Sequence, residues 1–360
     1  MPSTFDVYRG IPVAVTGHTG FKGTWLAHWL EFLGAKVSGF ALPPESAADS
    51  MFVQTKLARR MDSVYGDIMD MEGVRGFLSS RRPQIVFHLA AQSLVRRSYA
   101  QPLDTFAVNV MGLVNVLTAV REMDSVRALV VVTTDKCYEN DGRNDAGFRE
   151  TDPLGGSDPY SASKACAEIV CASYRTSFFG TDRRCAIATA RAGNVIGGGD
   201  WAADRLIPDI IHALMRDRPV VIRNPAFIRP WQYVLEPLRG YLDLGERLYR
   251  GQFEFAEAWN FGPHQESVVT VLEIAERVIS QWGAGAVDIR SDPHAPKEAA
   301  SLRLDVSKAS ARLGFNSILS LREALDETTR WYEAFLRRGA DAGDLTQSCL
   351  QRYIDRVASS

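Results

Sequence analysis

The stretch Val13-Ala-Val-Thr-Gly-His-Thr-Gly-Phe-Lys-Gly23 decides the fold, because it places three glycines directly after a short apolar strand pattern. Gly17, Gly20 and Gly23 end that strand and open a helical pattern that continues to Leu33. Glycines at this spacing allow a tight turn and a close approach of the backbone to a pyrophosphate, and the helix N-terminus supplies amide donors. The motif predicts a dinucleotide-binding domain. A glycine-rich turn without a ligand is the alternative at this point.

Strand and helix patterns alternate through the first half of the chain. The strands are Ile11–Val15, Lys36–Ala41, a strand ending at Val64–Asp67, Ile85–Leu89, Val126–Val132 and Cys185–Arg191, and the later helices are Pro102–Met123 and Pro159–Phe178. This alternation predicts an α/β fold of the Rossmann type, with a doubly wound parallel sheet.

The texture changes after Arg191, where a glycine-rich loop and several prolines predict a smaller substrate-binding domain. Trp259–Gly262 resembles a strand that returns to the main sheet. The predicted division assigns 1–192, with 231–263 returning, to the dinucleotide-binding domain, 193–230 and 264–340 to the substrate-binding domain, and 341–360 to a C-terminal extension.

Composition narrows the classes of function. The chain has 360 residues, 46% hydrophobic and 23% charged, which is typical of a soluble globular protein. A formal charge of −2 gives no reason to expect nucleic acid or a membrane surface as a partner. The apolar runs are of strand length, the N-terminus lacks a signal core, and five unpaired-looking cysteines favour a reduced cytoplasmic setting. The six histidines show no metal-binding spacing, so no metal is expected.

Tyr160 and Lys164 lie four residues apart in Pro159-Tyr-Ser-Ala-Ser-Lys164 and share one face of a helix. An ammonium group beside a phenol is expected to lower the phenol's pKa, so that a phenolate could take a proton from an alcohol while hydride leaves the same carbon. A surface pair without function is the alternative.

A second reactive segment, Thr133-Thr-Asp-Lys136, follows the strand Val126–Val132. Because ligands bind beyond the carboxyl ends of parallel strands, this segment is expected to face the same crevice as the glycine loop. Thr134 can hydrogen-bond a reacting sugar oxygen, Asp135 can act as an acid, and Lys136 can act as a base if its pKa is depressed. An acid and a base beside a hydride-transfer pair predict the removal of water.

These motifs together resemble the extended short-chain dehydrogenase/reductase family, from about Pro12 to Tyr332. The resemblance is carried by TGHTGFKG, HLAAQ (His88–Gln92), TTDKCY and YSASK. Asp135-Lys136, Gly193–Trp201 and Arg229–Pro237 are most similar to the members that remove water from CDP-glucose, whereas related dehydratases carry aspartate–glutamate at the first of these. Tyr233 stands where the pattern has histidine, a difference expected to bear on substrate contacts.

The resemblance implies NAD as cofactor and a nucleotide sugar as substrate. It implies catalytic roles for Thr134, Asp135, Lys136, Tyr160 and Lys164. It implies cofactor contacts by Gly17, Thr19, Gly20, Phe21, Lys22, Gly23, Asp67, Ile68, Leu89, Ala90, Ala91, Gln92, Asn109, Thr133, Tyr160 and Lys164, and substrate contacts by Gln92, Asn194, Trp201, Arg205 and Arg229. The end of the second strand does not distinguish NAD from NADP. Phe40–Pro44 contains neither the acid that usually binds the adenosine ribose of NAD nor an arginine that would favour the 2′-phosphate of NADP.

Several alternatives stay open on the sequence. Asn109 could be a helix-packing residue, either arginine a surface charge, and Arg96-Arg97 either diphosphate contacts or solvated. The chain could be a nucleotide-sugar 4-epimerase, a dehydratase of another nucleotide, or an inactive NAD-binding scaffold. The family resemblance also implies a homodimer or homotetramer built through the two long helices.

Overall fold

The computed structural model describes residues 5–142, 146–180, 184–263, 265–290 and 302–359. A seven-stranded parallel sheet runs in the order β10-β6-β5-β4-β1-β2-β3. Its strands are β1 Pro12–Thr16, β2 Lys36–Ala41, β3 Asp62–Tyr65, β4 Ile85–His88, β5 Ala128–Val132, β6 Ala186–Ala192 and β10 Ala258–Phe261. The predicted doubly wound fold is confirmed, including the late strand that returns beside β6.

Helices cover both faces of this sheet. In chain order, the α-helices of the described residues, including those of the outer elements, are α1 Phe21–Phe32, α2 Met51–Gln54, α3 Met71–Arg81, α4 Val95–Ala100, α5 Pro102–Phe106, α6 Leu113–Glu122, α7 Pro159–Tyr174, α8 Leu206–Leu214, α9 Leu235–Tyr249, α10 Val271–Trp282, α11 Ser307–Leu313, α12 Leu321–Arg338 and α13 Ala342–Ala358. A π-helical segment, Ala107–Gly112, joins α5 to α6, and another, Arg175–Phe179, extends α7.

Two small sheets lie outside the large one. The first has the order β11-β9-β7 and the second pairs β12 with β8. Their strands are β7 Asn194–Ile196, β8 Val220–Ile222, β9 Ile228–Tyr233, β11 Val268–Thr270 and β12 Val287–Ile289.

The hydrophobic core continues from the large sheet into these outer elements. Trp25 and Trp29 on α1 are fully buried, as their spacing of four residues predicted. The Trp29 ring meets the ring of Tyr353 on α13 edge to face, 5.7 Å between centroids. The C-terminal helix is therefore part of the folded unit and fixes the outer face of α1.

One helical stretch, Pro102–Glu122, is long and apolar enough by length and composition to cross a membrane, contrary to the expectation that all apolar runs are of strand length. Leu113, Val116, Leu117 and Val120 on this stretch are buried in a cluster with residues of α3 and the large sheet. The stretch is thus one of the helices that cover the sheet.

Candidate active site

The glycine loop joins β1 to α1 at the carboxyl edge of the sheet. Gly17 has a left-handed φ of 76°, and a Cβ there would lie 2.6 Å from the amide nitrogen of Ala90. A Cβ on Gly23 would lie 2.0 Å from the carbonyl oxygen of Gly17. These two glycines are required by the protein's own packing.

Gly20 is different, and it tests whether the loop suits a dinucleotide. Its φ of −79° is open to any residue, and a Cβ there would meet Gly17 O at an ordinary 3.4 Å. Gly20 is the N-cap of α1, and no side chain caps the first amides of this helix. Serine or aspartate would cap them better than glycine, so helix capping does not explain the glycine. Neither strain nor packing explains Gly20, whereas close approach of a pyrophosphate does. The loop fits the cofactor that the motif implies.

The loop after β4 forms the next wall of the groove. Asn109, in the π-helical segment, accepts from the Gln92 amide and donates to the Gln92 carbonyl oxygen, both at 2.9 Å. The Asn109 amide also donates to Ser163 Oγ on α7 at 2.9 Å. The Gln92 side chain donates to Thr105 Oγ1 at 2.9 Å. Asn109 therefore connects the Leu89–Gln92 loop to the helix that carries Tyr160 and Lys164.

The other predicted cofactor residues line this edge. Thr19 Oγ1 donates to the Leu42 carbonyl oxygen at 3.0 Å, which joins the glycine loop to the end of β2. The Lys22 ammonium lies 5.9 Å from the Tyr241 ring centre, and burial lowers the pKa of Lys22 to about 7. Asp67 is exposed after β3, and its carboxylate accepts the Met69 amide at 2.9 Å.

Asp135 and Lys136 begin a single 3-10 turn at the end of β5. Asp135 is 2% exposed; its Oδ1 accepts from Thr134 Oγ1 at 3.0 Å, and its Oδ2 has no hydrogen-bond partner among the described residues. A Cβ on Gly193 would lie 2.7 Å from this Oδ2, so the glycine leaves room for the carboxyl group. Burial raises the pKa of Asp135, while Lys136 acts to lower it. A raised pKa suits a carboxylic acid that donates a proton.

Tyr160 and Lys164 lie on the first two turns of α7, and both are buried. Lys164 Nζ donates to the Val132 carbonyl oxygen at 3.2 Å, which directs the ammonium to the end of β5. Burial raises the pKa of Tyr160 to about 12, and contact with Thr134 lowers it in part. The expected lowering by Lys164 is therefore wrong for the protein alone, because loss of phenolate hydration dominates. Burial also lowers the pKa of Lys164 to about 8.

Sequence reasoning missed a buried network directly behind this pair. Glu168 accepts from Thr133 Oγ1, from Thr189 Oγ1 at 2.7 Å and from Arg191 Nη2 at 2.8 Å, and both ions are 3% exposed. The carboxylate of Glu168 acts to raise the pKa of Lys164, against burial. The missed signal is spacing, because Tyr160, Lys164 and Glu168 recur every four residues on one helix face.

The predicted substrate residues occupy two places. Arg229 on β9 is buried beside Phe227, and it lines a cavity together with Lys136, Asp158 and Ser161. Arg205 donates to Asp200 Oδ2 and to Ser93 Oγ, both at 3.1 Å, and its positive charge acts on Tyr160.

Asn194 lies on β7, which pairs with the strand that carries Arg229, and Trp201 follows Asp200, the partner of Arg205. Asn194 begins β7 and lies opposite Trp231 of β9. The Trp201 indole donates to Gln54 Oε1 at 2.8 Å, and its ring meets Tyr332 edge to face.

Tyr233, which stands in place of the pattern's histidine, packs into the core between α1 and α13. Its side chain is 2% exposed and packs edge to face on Trp25 and against Tyr353 of α13. Within the part of the chain described, no three histidine, cysteine or acidic side chains form a group that could hold a metal ion.

A glycine loop, a Tyr–Lys pair on one helix face and an acid–base pair at one edge of a parallel sheet define an extended short-chain dehydrogenase/reductase. The family model of GDP-mannose 4,6 dehydratase matches residues 14–328. The chain belongs to this family.

Known relatives agree with that assignment. The chain is 46% identical over 360 residues to a CDP-glucose 4,6-dehydratase from Salmonella typhimurium, covering 99% of this chain and 98% of the relative. It is 27% identical to a dTDP-glucose 4,6-dehydratase from Actinoplanes, covering 89% and 98%. The solved dTDP-glucose 4,6-dehydratase from Streptomyces venezuelae, with NAD and TYD bound, has the same fold, with a TM-score of 0.77, 23% identity, and coverage of 91% and 98%.

Proposed function

We propose that the chain is an NAD-dependent hydro-lyase that converts CDP-glucose to CDP-4-keto-6-deoxyglucose. The observation that carries the proposal is the Asp135-Lys136 pair after β5: the charge of Asp135 acts on Tyr160, and Lys136 lines a cavity with the buried Arg229. The 46% identical relative, a CDP-glucose 4,6-dehydratase, supports the choice of substrate.

Three steps follow from these side chains. Tyr160, assisted by Thr134 and Lys164, takes the proton of the sugar 4-hydroxyl. Lys136 takes the proton of carbon 5, which the 4-keto group acidifies, and Asp135 protonates the departing 6-hydroxyl. When bound, NAD would take up hydride from carbon 4 and give it back at carbon 6, and its positive charge would favour the Tyr160 phenolate. As the hydride arrives at carbon 6, Lys136 returns its proton to carbon 5, and exchange with solvent removes the proton that Tyr160 gained and replaces the one that Asp135 lost.

The cofactor would be held by the glycine loop, by Asp67 and Ile68, by Leu89–Gln92 with Asn109, and by Thr133, Tyr160 and Lys164. Arg229 and Arg205 would meet the substrate diphosphate, because a guanidinium donates two parallel hydrogen bonds. Gln92, Asn194 and Trp201 complete the proposed substrate set. Such an enzyme would work in the cytoplasm on a nucleotide sugar.

Product masses test the proposal. Purified protein is incubated separately with CDP-, dTDP-, GDP- and UDP-glucose, and loss of one water from CDP-glucose is expected. Loss from another nucleotide would keep the chemistry and change the substrate. Isomerisation without loss of water would instead favour a 4-epimerase, and no turnover of any of the four would favour a scaffold.

Replacing the base tests the mechanism. Lys136→Met removes the only group proposed to take the carbon 5 proton, so elimination should fall at least about 100-fold, the scale of lost general-base catalysis. Oxidation at carbon 4 should survive, and is followed as enzyme-bound NADH absorbance. A Lys136→Met enzyme that loses water at the wild-type rate would remove Lys136 from the mechanism.

A further inference from the structure

The order of strands reveals a link across the dinucleotide groove. β1 lies between β2 and β4, so the segments after β2 and β4 face each other across the end of β1. The glycine loop occupies that end. Arg97 Nη1, on α4 after β4, lies 3.3 Å from Oε1 of Glu45, which follows β2. This ion pair joins the two rims above the glycine loop.

The same short segment is fastened on its other side to the outer elements. Arg96 Nε lies 3.5 Å from Asp204 Oδ1, and Arg205 Nη2 donates to Ser93 Oγ at 3.1 Å. Arg223 Nη1 lies 3.2 Å from the same Asp204 oxygen. Ser93–Arg97 is thus tied to Glu45 after β2 on one side and to Asp204 and Arg205 of the outer elements on the other. In the protein alone, Arg96 and Arg97 both form ion pairs.

The exposed fractions set the strength of these links. Glu45 is 87% exposed and Arg97 48%, while Arg96 and Asp204 are 36% and 37% exposed. Exposed pairs are individually weak and are screened by salt. Such weak pairs suit a closure that must open when the cofactor is exchanged. Breaking them should leave the fold intact.

We propose that Ser93–Arg97 is a strap across the dinucleotide groove, and that its ion pairs with Glu45 and Asp204 slow the release of the cofactor. The proposal rests on the proposed function, in which NAD is regenerated in each turnover and its release is not needed for the next one. The strap therefore acts on retention of the cofactor and leaves the chemical steps unchanged.

Cofactor release measures the strap without any turnover. Each protein is loaded with NADH and mixed with excess NAD, and the decay of protein-bound NADH fluorescence gives the release rate. Glu45→Gln, Arg97→Gln and Asp204→Asn should each release NADH about two- to fivefold faster, the range of one exposed ion pair. Asn tolerates the left-handed φ of 61° at Asp204, so this variant removes charge without adding backbone strain.

Three comparisons separate the strap from a general loss of charge. Arg81→Gln breaks the pair with Asp62, which is similarly exposed (36% and 51%) but lies on α3 and β3 away from the groove, and should leave release unchanged. The reversed pair Glu45→Arg with Arg97→Glu should restore slow release. Wild-type release should accelerate from about 0.05 to about 0.5 M salt, and the Glu45→Gln/Asp204→Asn double variant should respond less.

Wild-type release rates in Glu45→Gln and Asp204→Asn, with NADH still bound, would overturn the strap and leave the proposed function intact. Failure of the wild-type protein to bind NADH at all would overturn both.

Discussion

Gly20 is the residue whose geometry most directly favours the approach of a pyrophosphate to the glycine loop. Gly20→Ala should weaken NAD binding about tenfold or more, ~1.4 kcal/mol, because the methyl group would occupy the space a phosphate approaches. The fold should be unaffected, since the φ of −79° and the 3.4 Å neighbour both admit alanine. Calorimetric titration with NAD measures the effect.

Gly76 provides the matched control for this prediction. It lies on α3, and a Cβ there would meet nothing within 4 Å. Gly76→Ala should leave NAD affinity unchanged and stabilise the helix by up to about 1 kcal/mol. Equal NAD affinity in Gly20→Ala and wild type would mean that the dinucleotide does not approach the loop at this residue.

The chemistry of single residues was more predictable than their protonation. Residue types and spacing identified Asp135, Lys136, Tyr160 and Lys164 as candidates, because acids, bases and phenols are recognisable wherever they stand. The pKa of Tyr160 was predicted in the wrong direction, since burial depends on every element packed around the ring. No local pattern in the sequence contains that information.

At the scale of elements, α7 is anchored to the large sheet by the buried ion pair between Glu168 and Arg191 of β6. Burial acts to raise the pKa of Glu168. Arg191 and the threonine hydroxyls outweigh this effect and hold that pKa below its ordinary value. Glu168→Gln leaves the Arg191 charge buried without a counter-ion and should cost about 3–5 kcal/mol of unfolding free energy. Urea unfolding at neutral pH measures this loss.

The loss should depend on pH in a defined direction. Because the folded-state pKa of Glu168 is lowered, its stabilisation is present above the unfolded pKa of about 4.3 and is lost as pH falls through the folded value. The difference between wild type and Glu168→Gln should therefore shrink in acid. Glu333→Gln, which breaks a surface pair with Arg337 on α12, should cost under about 0.5 kcal/mol at any pH. A pH-independent loss in Glu168→Gln would contradict the ion-pair explanation.

Element bounds followed from apolar composition wherever the surroundings were uniform. The buried strands lie within two residues of their predicted bounds, because a parallel sheet covered on both faces selects continuous apolar runs. The helix Pro102–Glu122 was predicted, but its π-helical turn was not. A hydrogen bond between residues i and i+5 does not alter the spacing of apolar residues that predicts a helix of period 3.6. That turn carries Asn109 to the Gln92 loop, so the missed irregularity coincides with a proposed site residue.

For the whole molecule, the structure leaves large apolar side chains exposed on the two long helical stretches. Leu103, Met111 and Ile169 are 80%, 51% and 56% exposed. We propose that these helices form the contact of a homodimer, or of a tetramer built from such dimers. Ile169→Glu should shift the protein toward monomer, because a desolvated carboxylate in an apolar contact is costly. Sedimentation velocity measures the shift.

Ile289 on β12 is 54% exposed and far from these helices in the chain, so it serves as the control. Ile289→Glu should leave the oligomeric state unchanged. A wild-type monomer at micromolar concentration, or an unaltered oligomer in Ile169→Glu, would place the contact elsewhere or remove it.

The return of β10 to the large sheet has a consequence for how the chain is made. β6 ends at Ala192, and its partner β10 begins at Ala258, so 66 positions separate the two. At about 5–20 residues per second, translation leaves this strand edge unpaired on the ribosome for roughly 3–13 seconds. An unpaired edge is a template for the wrong partner. The nascent chain therefore carries an open sheet edge for most of the synthesis of the outer elements, and this is the interval in which it is most exposed to mispairing.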